Sequence, residues 1–67
     1  MKSYETTSIG NLTLIACLSD LQENGIDASL VNATTQNSLG TFEINNDSQI
    51  EIAEQIMNKY FNVNFND

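Results

Sequence analysis

The side chains that could do chemistry in this 67-residue chain are one thiol, Cys17, and nine carboxylates. A nucleophilic thiol needs a neighbouring base, and the chain has no histidine to serve as one or to bind a metal. A lone cysteine also forms neither an intrachain disulfide nor a CxxC zinc or redox pair. Cys17 falls inside a helical apolar pattern and reads as a small buried hydrophobe. Carboxylate pairs do general acid–base work when a pocket raises the pKa of one partner, and a chain this short offers little enclosure. Calcium ligation through oxygen suits an acidic chain, but no EF-hand spacing occurs. The only cations are Lys2 and Lys59, so no arginine fork is present for a phosphate or carboxylate. Glycine stands only at Gly10, Gly25 and Gly40, which form no phosphate-binding loop. The expectation is a protein that is not an enzyme and takes no cofactor or metal.

Size and charge exclude further classes. A single domain of this length buries only about 60% of the surface its unfolded chain exposes. Hydrophobic residues make up 40% of the chain and charged residues 16%, a balance that favours folding over disorder. The net charge of -7 argues against nucleic acid and against an anionic membrane surface, since both demand cations. The longest apolar run, 14–18, is far too short to span a bilayer. The N-terminal residues carry no apolar signal segment, so a cytoplasmic location is expected. Three N-x-[ST] triplets, at Asn11, Asn32 and Asn46, fit chance in an asparagine-rich chain better than glycosylation.

The elements follow from hydrophobic spacing. Residues 11–24 predict a helix: Asn11 suits an N-cap, and Leu14, Cys17, Leu18 and Leu21 recur at helical spacing. Leu12, Leu14, Ala16 and Leu18 also alternate as a strand would, but Leu18-x-x-Leu21-x-x-x-Gly25 runs the helical repeat into a glycine stop and favours the helix. Residues 26–33 predict a strand with Ile26, Ala28 and Leu30 inward. A polar turn over 34–38 leads to a second strand over 41–45, with Phe42 and Ile44 inward and Gly40 marking a bend or bulge. A second helix is expected over about 48–61, started by Asp47 or Ser48 with a Ser48–Glu51 capping box. Its buried stripe is Ile50, Ala53, Ile56, Met57, Tyr60 and Phe61, and its solvated face includes Glu51 and Glu54. Residues 2–8 are weakly strand-like, with Tyr4 and Thr6 on one side, and 62–67 form a tail or short final strand.

The order is β-α-β-β-α over a single domain, 1–67, with its core at about 2–61. This is an α+β class, with a helix crossover between parallel strands and both helices on one face of a small sheet, in a ferredoxin-like or split-βαβ arrangement. The other sheet face is left bare, with Val31 and Ile9 as its apolar residues.

The run Asn11-Leu12 through Leu18-Ser19-Asp20-Leu21-Gln22-Glu23-Asn24-Gly25-Ile26-Asp27-Ala28-Ser29-Leu30-Val31-Asn32 resembles a family of small bacterial domains named as prokaryotic signal-transducing proteins. Phe42-Glu43-Ile44-Asn45-Asn46-Asp47 with Ala53-Glu54-Gln55-Ile56 is similar to that family's second half, so the resemblance spans about residues 2–60. It implies a fold similar to the PII nitrogen regulators, reduced to one small unit, and no enzymatic activity. The connection from Asn32 to Leu39 is shorter than in the family and lacks its aromatic and proline residues. No ligand-binding residue is carried over on that account.

These features favour a non-enzymatic binding or regulatory module, acting in signal transduction through a protein partner or through self-association. Thr34, Thr35, Gln36 and Asn37 are the candidate partner-binding residues. A core of roughly fifteen apolar side chains is marginal for a domain of this size, and a homodimer would add burial. The alternative is an acidic, phage-type inhibitor that imitates DNA. It rests on the small size and the charge of -7, although Asp20, Glu23, Asp27 and Glu43 read as dispersed.

Overall fold

The alternating pattern of each predicted strand resolves into one four-stranded antiparallel sheet in a computed structural model. The structure describes residues 1–6, 9–34 and 39–66. The elements are β1 (Lys2–Glu5), α1 (Asn11–Glu23), β2 (Ala28–Thr34), β3 (Leu39–Ile44), a 3₁₀ turn (Asp47–Gln49), α2 (Ile50–Met57) and β4 (Asn64–Asn66). The spatial order is β2-β3-β1-β4. Because β3 pairs antiparallel with both β1 and β2, those two strands run parallel with β3 between them. That is the ferredoxin-like, split-βαβ order expected from the sequence, with the tail adding β4 beside β1.

The core lies between the helices and one face of the sheet. Tyr4 from β1, Ala28 from β2, and Phe42 and Ile44 from β3 are buried with Leu14, Cys17 and Leu21 of α1 and Ala53, Ile56 and Met57 of α2. Ile26 and Phe61 close the ends, and the Phe61 ring stacks on Phe42 with centroids 5.7 Å apart. Each large apolar side chain removed from water in this way contributes about 1.5–3 kcal/mol before conformational entropy is charged against it. Ile9, expected on the bare sheet face, packs instead against this core.

The α1 stop is built as its spacing predicts. Gly25 takes φ +76°. Its N–H donates to the Gln22 carbonyl at 3.0 Å, and the Ile26 N–H donates to the Leu21 carbonyl at 3.1 Å. This is the Schellman pair of bonds, and the buried Leu21 and Ile26 supply its apolar contact. Ile26 is therefore spent on the helix end, and β2 begins at Ala28 rather than at residue 26. The start of α1 differs from expectation. Gly10, with extended backbone, is the cap, and its carbonyl accepts from the Leu14 N–H at 3.0 Å, so Asn11 is the first helical residue.

The second helix is shorter than its pattern. The cap is Asn46, whose Oδ1 accepts from the Ser48 N–H at 3.0 Å and from the Ser48 hydroxyl at 2.8 Å. With its hydroxyl turned back to Asn46, Ser48 forms no capping box with Glu51, and a 3₁₀ turn precedes the α-helix. The α-helix ends at Met57. Tyr60 and Phe61 both donate their N–H groups to the Met57 carbonyl, which tightens the chain into turns. Gln49 locks this start to the end of α1: its Nε2 donates to the Gly25 carbonyl at 2.9 Å, and its Oε1 accepts from the Asp27 N–H at 2.8 Å.

A bulge interrupts β2. Val31 pairs with Thr41 but Thr34 pairs with Leu39, so Asn32 and Ala33 together face Gly40. Asn32 holds φ +56°, the left-handed value that one class of such bulges, the G1 type, uses at its first residue. The sequence placed this irregularity at Gly40. The extra residue is on the neighbouring strand, and Gly40 is the residue it bulges against. Across the sheet Gly40 and Thr6 close on each other: the Gly40 N–H donates to Thr6 Oγ1 at 2.8 Å and the Thr6 N–H donates to the Gly40 carbonyl at 2.9 Å.

Candidate functional site

The face of the sheet opposite the helices carries the polar phase of each strand. Pairing puts these positions into two rows. Ser29 of β2 stands opposite Glu43 of β3, which stands opposite Ser3 of β1, with Asn66 of β4 at the next register position. Val31, Thr41 and Glu5 form the second row, with Asn64 at the next position. Ser3, Ser29, Val31, Thr41 and Glu43 are half-buried by their neighbours, while Glu5 is exposed. Leu39, 39% exposed, extends the apolar end beyond Val31. The result is an open shelf, and the described residues enclose no cavity.

Two carboxylates dominate the shelf. Glu5 and Glu43 sit on adjacent strands at diagonal positions, a relation that spans about 7–8 Å. Serine and threonine hydroxyls flank both of them. Such a surface can accept hydrogen bonds and cations from a partner. Val31 and Leu39 offer it a small apolar anchor.

Four carboxylates elsewhere, Asp20, Asp27, Asp47 and Glu54, are bound within the fold. Asp20 accepts from the Tyr60 hydroxyl at 2.8 Å and from Asn24 Nδ2 at 3.0 Å. Its hydrogen bond holds the Tyr60 phenol above the ordinary range, with burial adding to the effect. Glu54 does not join the solvated helix face expected for it. It accepts from the buried Tyr4 hydroxyl at 2.8 Å and lies 4.0 Å from Lys2 Nζ. Asp27 accepts from Asn45 Nδ2 at 3.3 Å, and Asp47 pairs with the N-terminal amine at 3.0 Å. Among the described residues no three of His, Cys, Asp and Glu gather where a metal could sit.

Cys17 is fully buried. Burial, with the nearby Asp20 charge adding to it, pushes the thiol up to about 12, so it stays protonated and inert. Of the residues expected to meet a partner, Thr34 is the last residue of β2 and pairs with Leu39 instead of opening the turn. Thr35, Gln36 and Asn37 lie outside the described residues. The shelf residues were visible in the sequence as the polar half of each alternation, but only the register brings Ser29, Glu43 and Ser3 into one row. No described helix is long and apolar enough to cross a membrane. Compared with known protein families, curated proteins and solved structures, the chain matches none.

Proposed function

We propose that this chain is a non-enzymatic binding or regulatory module that engages a protein partner, or a second copy of itself, through the side of the sheet its helices leave open. The observation that carries the reading is the pair of cross-strand rows, Ser29–Glu43–Ser3 and Val31–Thr41–Glu5. Cross-strand pairing fixes the relative positions of these residues before a partner arrives, which lowers the ordering cost of binding. A cytoplasmic signalling role fits the resemblance to prokaryotic signal-transducing domains.

The test is capture of partners from cell extract on the immobilised chain, with identification by mass spectrometry. The double variant Glu5→Lys/Glu43→Lys reverses the charge of the shelf. Glu51→Lys, on α2 away from it, is the control. Loss of a specific partner from the double variant alone supports the reading. Retention of every captured protein by both variants overturns it. A captured protein that duplex DNA displaces would support the acidic-mimic alternative instead.

A further inference from the structure

The sheet has a second open element, its β2 edge, and the hydrogen-bond phase shows what that edge presents. The Asn45 N–H donates to the Asp27 carbonyl at 3.0 Å. In an antiparallel ladder bonded pairs alternate with non-bonded ones, so Ser29 and Val31 direct their backbone groups at β3. Ala28 and Leu30 therefore direct theirs away from the sheet. Gln22 confirms this phase by reaching the Ala28 carbonyl from α1 at 3.5 Å, the outer limit of a hydrogen bond. By that phase β3 leaves the Leu30 N–H and carbonyl unbonded, and among the described residues no turn or loop bond reaches them.

Edge strands are usually blunted with lysine, proline or other charged residues. Over Ala28–Thr34 the sequence is Ala-Ser-Leu-Val-Asn-Ala-Thr, with none of these. The bulge at Asn32 and Ala33 breaks the edge, leaving 28–31 as its straight part.

We infer that this edge pairs with the same edge of a second copy, antiparallel about a two-fold axis at Ser29. In that register Ala28 faces Leu30 of the other copy and Leu30 faces Ala28, each pair exchanging two backbone bonds, about four in all, once the long Gln22 bond yields or shares the Ala28 carbonyl. The inference rests on the self-association proposed above and places that contact at the β2 edge instead of on the shelf, which is left to a protein partner. Charge selects this edge over the shelf. Packing two shelves face to face sets sheets about 10 Å apart and drives Glu5 and Glu43 of two chains of charge -7 into one dry layer. Edge pairing keeps the carboxylates apart and wet. Glu43 and its counterpart are then three strand spacings apart, about 14 Å, beyond the screening length of about 8 Å. The contact is short, so the dimer is weak and concentration-dependent.

Three measurements on the full chain test this. Sedimentation from micromolar to millimolar concentration should show monomer giving way to dimer. Exchange of the Leu30 amide should slow with concentration, by about tenfold when nine-tenths of the chain is dimeric, while Ser29 and Val31, already bonded to β3, should not respond. Ser29→Cys should oxidise to a covalent dimer, because non-bonded antiparallel partners sit about 4.5 Å apart at Cα, within disulfide reach. The buried Cys17 stays as it is, and Glu23→Cys, exposed on α1, is the control. Monomer at every concentration overturns the pairing, as does a dimer with an unresponsive Leu30 amide or with Ser29→Cys crosslinking no faster than Glu23→Cys. Those results leave the shelf reading to its own capture assay, where charge reversal at Glu5 and Glu43 decides.

Discussion

Asn32 supplies a test in which the sign of the effect is enough. In an ordinary strand position valine is favoured over asparagine, on a scale that spans about 1 kcal/mol. At φ +56° the order reverses, because a side chain with Cβ in the left-handed region costs about 1–2 kcal/mol, and asparagine is among the few residues that offset part of it. Asn32 is also exposed, so valine gains little from burial there. Asn32→Val is therefore expected to destabilise the fold by about 1–2 kcal/mol. In a domain of this size each kcal/mol lowers Tm by about 4–8 °C. Asn32→Gly removes the Cβ conflict but loosens the unfolded chain, and should fall within about 0.5 kcal/mol of the parent. Urea denaturation followed by far-UV circular dichroism measures both on the same day and buffer. A stabilised Asn32→Val, or a valine variant equal to the glycine one, would mean that β2 runs without the bulge and would sink the edge geometry as well.

Three further perturbations follow from the same packing. Gly25→Ala meets open space within 4 Å but must hold φ +76°, so its cost, about 1–2 kcal/mol in thermal unfolding, is purely conformational; an unchanged Tm would contradict the helix stop. Tyr4→Phe removes the hydroxyl that donates to Glu54; because the Glu54 side chain is 25% exposed, the loss should be about 1 kcal/mol rather than the larger value of a dry charged bond. Cys17 bears on alkaline stability. Its thiol, ordinarily 9.0, is pushed up to about 12 by burial, so unfolding releases a proton above pH 9 and stability falls as pH rises from there towards 12. Tyr60, raised from 10.0 chiefly by its bond to Asp20, acts in the same direction. The urea midpoint should stay flat for this thiol up to pH 9 and drop beyond it, with a shallower drop in Cys17→Ala; an identical slope in that variant would remove the thiol from the account.

The fold was legible where one local rule governed a segment. Leu14, Cys17 and Leu21 at helical spacing, followed by Gly25, specified α1 and its stop almost to the residue. Phe42 and Ile44 specified the inward face of β3. What was not legible depended on competition between local options or on distance. Ser48 had two uses open to its hydroxyl, a bond back to Asn46 or a capping box with Glu51, and the first prevails. The stripe from Ile50 to Phe61 continues past Met57 although the α-helix does not, because turns keep Tyr60 and Phe61 against the core. Glu54 looked solvated from its own helix, since the Tyr4 hydroxyl that binds it is fifty positions away in the chain. The shelf was half visible: alternation names its residues, but only register aligns them. Glycine is the conspicuous residue and draws the expected bend or bulge to Gly40, whereas the left-handed turn falls on Asn32 across the ladder.

The bulge also bears on how far association can run. Edge pairing is hazardous when it repeats, as one sheet templates the next. Here the pairing surface on β2 is the strand 28–31, bounded by the Asn32 turn on one side and the Gly25 helix stop on the other. The opposite edge, β4, is a three-residue strand of different sequence, so it does not present the same self-complementary partner. Antiparallel pairing of β2 with its own copy consumes both β2 edges about one two-fold axis and leaves none to propagate. That contact is isologous, and isologous contacts close as dimers rather than growing into filaments. The residue that breaks the strand rule is therefore the one that keeps an uncharged edge usable: without Asn32 in its left-handed turn, the same edge would offer nearly twice the ladder and no limit on register.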